Sequence, residues 1–461
     1  MRMPRPPRLR PVLAGAALGL RAPLRSRFVF ALLALLGAAV LLLPVQLKGD
    51  GTPAGTLRML LTWTLGTAVA LLSLSTLWAG CAAISGDIEG KRHAGAAVSS
   101  ARPFELWLGR WLGLVALDAA VLALVLVAVF VQVRARGLGP ADTAVRAYLP
   151  IDPASFEAEV DRVLGYAIGR MPPDRRPDGD PDRRAAMRES VRGDLGSDSF
   201  LPLEPGEERH WLFRLPERAP AAEFEFSFMS SYGDKQGIRG HLSLVAGDGG
   251  VLADRPVTTD DSGFFRLPLG KEALDAARRG GGTVEAVFWN EEGEDGAAVL
   301  LRHDRAARLS VPAGGLPANL AAAGLAILAL LSLLAALGLA CGCALSFPVA
   351  AFAASAICAM VVVSGGSVFS MDPAEAAEST SHGHSAGSRT VAAILPFART
   401  VAHALDATTA PYDRTEALDR LGDGVRIPRG AALRAFALDG IALPLLLGLL
   451  GSAVLRRREL P

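Results

Sequence analysis

Histidines form the clearest metal-ligand pattern in this chain of 461 residues. His382 and His384 make a His-Gly-His sequence, and His403 follows in the same polar segment. A structural zinc site takes four ligands, usually thiolates or imidazoles. These histidines lie in a Ser- and Gly-rich stretch without a matching group of carboxylates or cysteines. The sequence therefore predicts no metal site.

The cysteines offer no better ligand set. Cys81, Cys341, Cys343 and Cys358 all fall in or beside apolar runs. Residues two positions apart point to different sides of a helix, so Cys341 and Cys343 do not form one pair of ligands. Free cysteine otherwise behaves as a small hydrophobic residue, and we expect these four to serve packing.

The sequence contains no recognisable nucleotide or catalytic motif. The phosphate-binding pattern G-x-x-x-x-G-K-[ST] does not occur, and the Gly-rich pieces near Gly49 and Gly280 lack its Lys-Ser/Thr ending. Spacing supports no Ser/His/Asp or Cys/His arrangement either. We therefore expect no catalytic residue, no bound cofactor and no enzymatic activity on this chain.

Asp118 is the one acid that we place well inside an apolar run, roughly 10 Å beyond Trp111 by helical rise. An acid within a membrane span usually faces protein or water and is a functional candidate by default. Hydroxyl groups on a neighbouring run could bond to it, namely those of Thr62, Thr64, Ser73, Ser75 and Thr76. A structural hydrogen bond between helices and a functional role are both open.

Long apolar runs surround these residues. The mean hydropathy is +0.33 and 51% of the residues are hydrophobic, an excess that soluble domains rarely show. Crossing a hydrocarbon core takes about 20 apolar residues. Six runs qualify, at residues 28–47, 57–84, 111–133, 319–344, 347–369 and 435–455. The sequence predicts an α-helical multi-pass membrane protein with six spans, and its formal net charge of +1 suggests no nucleic-acid partner.

Basic residues set the expected orientation. The tail before the first run carries no acid, and the last run ends in Arg456, Arg457 and Arg458, so both termini are expected in the cytoplasm. The basic tail and first run are too long for a cleaved signal peptide. One group of charges disagrees, because the segment before the last run is expected outside. It contains Arg414, Arg420, Arg426, Arg429 and Arg434.

Five stretches follow from this pattern. They are a basic tail with three spans at 1–133, an extracytoplasmic domain at 134–316, a two-span hairpin at 317–370, a second extracytoplasmic loop at 371–430, and a last span with a basic end at 431–461. In the second loop, Ile394, Leu395, Phe397, Val401 and Leu405 recur at helical spacing. That spacing predicts an amphipathic helix at the membrane interface.

The extracytoplasmic domain is predicted to be mainly β. It opens with a helical pattern at 154–168 and a charged, Pro-rich stretch at 174–184 that we interpret as a solvated linker or loop. From about residue 205, short alternating segments predict an antiparallel β-sandwich. Its expected core is aromatic, from Trp211, Phe226, Phe228, Phe265 and Trp289. A ligand groove lined by these aromatics is the less favoured alternative.

The polar segment between the second and third runs, residues 85–110, is expected in the cytoplasm. An acidic-Gly turn at Asp87, Glu89 and Gly90 precedes Pro103, and a Gly-basic pair, Gly109 and Arg110, leads into the next run. In this order of residues, and in its six spans, the chain resembles ABC transporter permeases of the type-2, exporter-like family. The resemblance covers the membrane parts, about half of the chain, and leaves the extracytoplasmic domain unexplained.

The resemblance implies a role for this segment. In the family it docks against an ATP-binding subunit, so Asp87, Glu89, Lys91 and Arg92 would be contact residues here, with Pro103 leading into the third span. The expected partners are an ATP-binding cassette ATPase, which would carry ATP and Mg, a second permease copy or homologue, and the lipid bilayer. The expected location is the bacterial cytoplasmic membrane.

Two functions follow as expectations. The first is the permease subunit of an ATP-driven transporter, with an exporter favoured. The second is a membrane-anchored extracytoplasmic binding or assembly protein without transport activity, in which the spans only hold the domain.

Overall fold

A computed structural model describes residues 9–46, 52–89, 102–139, 143–173, 176–177, 180–196, 200–230, 239–258, 263–291, 298–364 and 414–458. The chain divides into two compact units. We name Met1–Ala144 with Gly315–Pro461 the membrane unit, and Val145–Gly314 the inserted domain. The predicted interfacial helix and His382, His384 and His403 lie outside the described residues.

The described part of the membrane unit is helical. Its elements in chain order are α1 (Leu9–Arg25), α2 (Arg27–Gln46), α3 (Pro53–Met59), a π-helical segment (Leu60–Leu65), α4 (Gly66–Glu89), α5 (Pro103–Ala135), α10 (Leu316–Ala344), α11 (Phe347–Ser364), α12 (Arg414–Gly422), α13 (Arg429–Ala437), a second π-helical segment (Leu438–Ala442) and α14 (Leu443–Arg458). The helices numbered between α5 and α10 belong to the inserted domain.

Five helical stretches among the described residues are long and apolar enough to cross a membrane, as the hydropathy pattern predicts. They are Arg27–Pro44, Gly55–Ser85, Pro103–Ala135, Leu316–Ala344 and Arg429–Arg456. The remaining predicted span, 347–369, corresponds to α11, whose described apolar part Phe347–Ala359 is shorter than a span. A multi-pass membrane protein with a β insertion is therefore confirmed, and the count of six stays a prediction.

Glycine allows α4 and α10 to approach at backbone distance. A Cβ atom added at Gly338 would come within 2.5 Å of the Leu77 carbonyl oxygen, and one at Gly80 within 2.9 Å of the Ala335 carbonyl oxygen. Lipid tails are as apolar as leucine, so helices in a membrane associate mainly through close packing and hydrogen bonds. Small residues at this contact make that packing possible.

Two hydrophobic clusters fill opposite halves of the helical bundle. One contains Leu57, Leu138, Leu316 and Ile427, which lie beside the ends of α3, α5, α10 and α13. The other contains Ile84, Trp107, Cys343 and Leu455, towards the opposite ends of the same membrane-crossing stretches. Membership of one cluster or the other therefore shows at which end of the bundle a residue lies.

The inserted domain is built from antiparallel strands. Its strands are β1 (Ala144–Tyr148), β2 (Leu201–Leu203), β3 (Glu208–Arg214), β4 (Ala222–Ser227), β5 (Met229–Ser230), β6 (Arg239–Ala246), β7 (Val251–Thr258), β8 (Phe264–Leu269), β9 (Thr283–Asn290), β10 (Val299–Leu301) and β11 (Ala307–Gly315). They form two four-stranded sheets, β1-β11-β4-β8 and β3-β9-β6-β7, and a three-stranded sheet, β2-β10-β5.

One aromatic core joins the sheets. Trp211, Phe224, Phe226 and Phe288 are fully buried in it. Trp289, which the sequence assigns to the core, is 47% exposed, so that assignment is wrong. Successive side chains of a strand face opposite sides, and because Phe288 faces the core its neighbour Trp289 faces solvent.

The described part of the inserted domain also contains four helices: α6 (Pro153–Arg170), α7 (Pro181–Gly196), α8 (Lys271–Arg279) and α9 (His303–Ala306). The helix predicted at 154–168 is present as α6. The interpretation of 174–184 as a linker or loop is wrong over its last residues, because α7 begins at Pro181. Arg188 at 2.7 Å and Arg192 at 2.6 Å hold this polar helix to the Glu157 carboxylate of α6.

Candidate functional site

The polar segment between α4 and α5 is flanked on each side by a long helix. Helix α4 continues through Asp87 to Glu89, and α5 begins at Pro103. Gly90, Lys91 and Arg92 lie outside the described residues. The structure thus describes Asp87 and Glu89 of the predicted contact residues at the end of α4, and Pro103 at the start of α5.

Helix α5 begins at Pro103, before the predicted span start at Trp111. Proline is well suited to the first turn of a helix, where its missing N–H is not needed. The Arg102 backbone N–H donates to Glu105 Oε2 at 3.1 Å, and Glu105 is buried. The first turns of α5 are therefore ordered helix that precedes the apolar run.

Helix α1 packs tightly against these turns. A Cβ atom at Gly109 would come within 2.6 Å of the Val12 carbonyl oxygen, and one at Gly19 within 2.6 Å of the Arg110 carbonyl oxygen. On another side of the same turns, Trp107 is fully buried next to Gly448 of the last span, and the centroid of its ring lies 6.1 Å from that of Trp111. The start of α5 is thus fixed on one side by the N-terminal helix.

Asp118 bonds to the neighbouring span. Thr76 Oγ1 donates to Asp118 Oδ1 at 2.8 Å, and both residues are buried. Asp118 Oδ2 has no hydrogen-bond partner in the described part of the chain. Because α5 begins at Pro103, Asp118 lies roughly 22 Å from the helix start by helical rise, near the middle of α5. It is therefore deeper in the span than the sequence indicates.

A second set of polar contacts links α5, α10 and the last span. Trp111 Nε1 donates to the Ser332 carbonyl oxygen at 3.2 Å, and Ser332 Oγ donates to the Gly440 carbonyl oxygen at 2.7 Å. Because hydroxyl and indole donors find no water in a bilayer core, they must be satisfied by neighbouring helices. The spans are thus tied together by hydrogen bonds as well as by close packing.

Asp439 is an intramembrane acid that the sequence reasoning missed. It lies in the π-helical segment Leu438–Ala442, within the last candidate span, and is 4% exposed. The expectation that Asp118 stands alone as an acid inside a span is therefore wrong. A small cavity of about 40 Å³ lies against it, lined also by Val69, Ala329 and Ala435. The sequence did contain a signal for this acid, because Asp439 lies within the apolar run 435–455.

Asn319 fastens the segment before the last span to α10. Its side chain donates to the Val425 carbonyl oxygen at 2.9 Å and accepts from the Ile427 N–H at 2.8 Å. Asn319 is buried, so both halves of its amide are satisfied by backbone. On the same end of the bundle, Arg58 pairs with Asp423 at 3.1 Å.

No group of three or more His, Cys, Asp or Glu side chains among the described residues is arranged to hold a metal ion. Cys81, Cys341 and Cys343 are buried and Cys358 is half-buried, all as free thiols. Comparisons with protein families, with curated proteins and with solved structures found no match to this chain.

Proposed function

We propose that this chain is the permease subunit of an ATP-binding cassette transporter of the type-2, exporter-like kind. In this proposal a separate ATPase subunit carries ATP and Mg, and a second copy or homologue of the chain completes the membrane assembly. The observation that carries the proposal is the polar segment 90–101. It is flanked by α4, which ends at Glu89, and by α5, which begins at Pro103. Both are long helices fixed by close contacts, so a push on the segment would reach the spans.

The two halves of the bundle support six crossings. Cys343, at the end of α10, belongs to one half, whereas Leu421 and Ile427, before the last span, belong to the other. In this proposal the chain returns across the bundle between them, and α11 begins that return. The predicted span at 347–369 fits this path.

The same distribution of residues supports a position of the polar segment on the side of the termini, as the proposal requires. Val29, Ile84, Trp107 and Leu455 share one half, which puts the start of α2, both ends of the segment and the chain's last helix at one end of the bundle. Leu138 and Leu316, next to the connections to the inserted domain, share the other half. Because basic residues gather at the termini, that end is assigned to the cytoplasm.

The Thr76–Asp118 hydrogen bond lies along the route that a push would take. Thr76 is on α4 and Asp118 on α5, the two helices that flank the segment. A change in the relative position of the two helices at the proposed cytoplasmic end would act on this buried polar contact. Asp118 therefore serves, in this proposal, as the point where the coupling motion enters the span interior.

Affinity purification in mild detergent from the native membrane tests the proposal. We expect a protein with a Walker-type nucleotide motif to co-purify in stoichiometric amount, with Mg-dependent ATP hydrolysis in the eluate. The double charge reversal Asp87→Lys, Glu89→Lys should abolish both. Glu217→Lys, an exposed charge reversal on the inserted domain, is the control and should leave both unchanged. Absence of any ATPase, or loss with both variants, contradicts the proposal.

A second candidate function is a membrane-anchored binding protein, favoured by a cleft in the inserted domain. The cleft has a volume of about 500 Å³ and is lined by aromatic and basic side chains. This function predicts ligand binding by the chain without any ATPase, and deletion of the ATPase should leave the cellular role intact. The purification experiment separates the two functions.

A further inference from the structure

A cleft of the inserted domain is lined by two chemically different surfaces. Its volume is about 500 Å³, within the range of small-molecule sites. One surface is apolar, from phenylalanine, leucine and methionine side chains, and the other carries three arginines and one glutamate among the described lining residues. Both belong to the inserted domain, so the cleft is formed within a single compact unit.

The apolar surface continues from the core to the rim. Phe226 and Phe228 are buried at the base of the cleft. Phe200, Met229 and Phe264 lie on its rim and are exposed by 47%, 53% and 45%. A large exposed apolar side chain standing singly needs no explanation, but three that line one cavity form a contiguous patch of the kind that marks binding sites. The alternative that core aromatics also line a groove is supported for Phe226 and Phe228.

The basic surface comes from one short stretch of chain. Arg302, Arg305 and Arg308 lie between β10 and the first residues of β11, with α9 in the middle. The Arg302 guanidinium lies over the Phe200 ring at 5.6 Å, and that of Arg308 over the Tyr148 ring at 4.9 Å. A guanidinium stacked on a ring keeps its N–H donors in its own plane, where carboxylate and phosphate oxygens accept them.

The single glutamate does not cancel this charge. Glu225 is buried and faces Arg266 at 2.9 Å and Arg146 at 3.4 Å. Tyr148 also donates to its Oε2 at 2.8 Å. The carboxylate is thus compensated by arginines outside the cleft lining, and the described lining residues include three arginines beside an apolar floor.

We infer that this cleft binds an anionic amphiphile of the lipid type, with one acidic head group and an aliphatic chain. The chain would lie on Phe226, Phe228 and the exposed rim, where apolar area is removed from water. The head would bond to the arginine row, with Arg305 the most exposed of the three. The inference is independent of the proposed function, because it requires no ATPase.

Titration of the full chain with a minimal amphiphile tests the inference. The chain is reconstituted in nanodiscs of zwitterionic phosphatidylcholine, and hexyl phosphate is titrated calorimetrically against it, with empty nanodiscs as the blank. Hexanol and inorganic phosphate serve as the chain-only and head-only ligands. We expect saturable binding of hexyl phosphate, with each of the other two ligands at least tenfold weaker, an effect of about 1.4 kcal/mol.

Matched variants locate the site. Arg305→Gln should weaken hexyl phosphate binding about tenfold, the loss of one charge-assisted hydrogen bond. Arg279→Gln removes an equally exposed arginine of the same domain outside the cleft and should leave affinity unchanged. Phe264→Ser should weaken hexyl phosphate and leave inorganic phosphate unaffected.

Four results would overturn the inference. They are heats equal to those of empty nanodiscs, hexanol or inorganic phosphate binding as tightly as hexyl phosphate, equal weakening by Arg305→Gln and Arg279→Gln, and unchanged affinity in both Arg305→Gln and Phe264→Ser. The variants are compared only after their far-UV circular dichroism and melting temperature match those of the unsubstituted chain, and Met229→Ser replaces Phe264→Ser if the latter fails that check.

Discussion

Thr76 Oγ1 donates a 2.8 Å hydrogen bond to Asp118 Oδ1, joining α4 and α5 in the interior of the membrane unit. Both side chains are buried, so neither finds water as a substitute partner. The pair lies on the two helices that flank the polar segment 90–101. It therefore combines a structural contact with a position on the proposed coupling route, and the two roles can be separated by mutation.

Thr76→Val should remove the donor while keeping the side-chain volume. Interhelical hydrogen bonds in membranes contribute about 1 kcal/mol, and we expect a loss of that order in the free energy of unfolding. Ser73→Ala, a hydroxyl deletion on the same helix, is the control and should cost less. The measurement is unfolding of the purified chain in mixed micelles. Equal losses of unfolding free energy in the two variants would show that the Thr76–Asp118 hydrogen bond adds no stability beyond that of an ordinary hydroxyl.

Asp118→Asn separates structure from function. The amide keeps an oxygen that can accept from Thr76, so we expect stability to fall by no more than about 1 kcal/mol. If Asp118 lies on the coupling route, the ATP hydrolysis that the reconstituted permease stimulates should fall strongly although the variant stays folded. Wild-type ATP hydrolysis with intact folding would assign Asp118 to structure alone.

Gly338→Ala should destabilise the membrane unit although alanine is the better helix former. The added Cβ would meet the Leu77 carbonyl oxygen of α4 at 2.5 Å, and the helices must separate. We expect a loss of about 1 to 3 kcal/mol, typical of overpacking. At Gly37, where nothing lies within 4 Å of an added Cβ, the same change should be neutral or stabilising by up to about 1 kcal/mol. Thermal unfolding in detergent compares the two.

The α6–α7 contact should depend on pH. Hydrogen bonds from Arg188 lower the pKa values of Glu157 and Asp161 below their ordinary range. A depressed pKa in the folded state adds stability above the unfolded-state pKa, about 4, and that stability is lost as the pH falls through the folded-state values. Arg188→Gln should therefore speed hydrogen exchange in α7 at neutral pH and have little effect at about pH 2.

Arg183→Gln provides the control for this experiment, because Arg183 is an exposed arginine on the same helix. Its exchange should match the wild type at both pH values when each is compared at equal pH. An Arg188→Gln effect that persists undiminished in acid would contradict the assignment of the contact to ionised carboxylates.

Truncation should destabilise the inserted domain much more at Trp211 than at Trp289. Trp211 is fully buried and contacts the Phe226 ring edge-on at 6.1 Å, so Trp211→Ala should cost about 3 to 5 kcal/mol or prevent folding of the inserted domain. Trp289 is 47% exposed, and Trp289→Ala should cost less than about 1 kcal/mol. Denaturant unfolding followed by circular dichroism distinguishes them. A larger loss at Trp289 would contradict the register of β9.

Hydropathy was sufficient to find five helical stretches that are long and apolar enough to cross a membrane, because a span must hide about 20 residues from water whatever its neighbours are. It placed the start of α5 too late because Glu105 and Arg110 lower the local hydropathy. Both are buried in the fold, where Glu105 accepts from the Arg102 N–H and α1 covers Arg110. Such burial depends on tertiary contacts that no local average contains.

The inserted domain shows the same limit. Alternation identified its strands, yet the assignment of Trp289 to the core required knowing which of two adjacent aromatics faces inwards. The first residues of α7, 181–184, were interpreted as part of a linker or loop, because the partner residues of this helix, Glu157 and Asp161, lie far away in sequence. The cleft likewise could not be predicted from the sequence, because its arginines line it together with Phe200 and Phe264, which come from other strands and loops.

The account depends most on the side of the membrane that residues 90–101 face. Gly95→Cys and Arg218→Cys are labelled separately with a membrane-impermeant maleimide, in intact spheroplasts and in inverted vesicles, with the unsubstituted chain as the blank. We predict that Cys at 95 reacts only in inverted vesicles and Cys at 218 only in spheroplasts. Labelling at position 95 in intact spheroplasts would remove the segment from any cytoplasmic ATPase and contradict the proposed coupling.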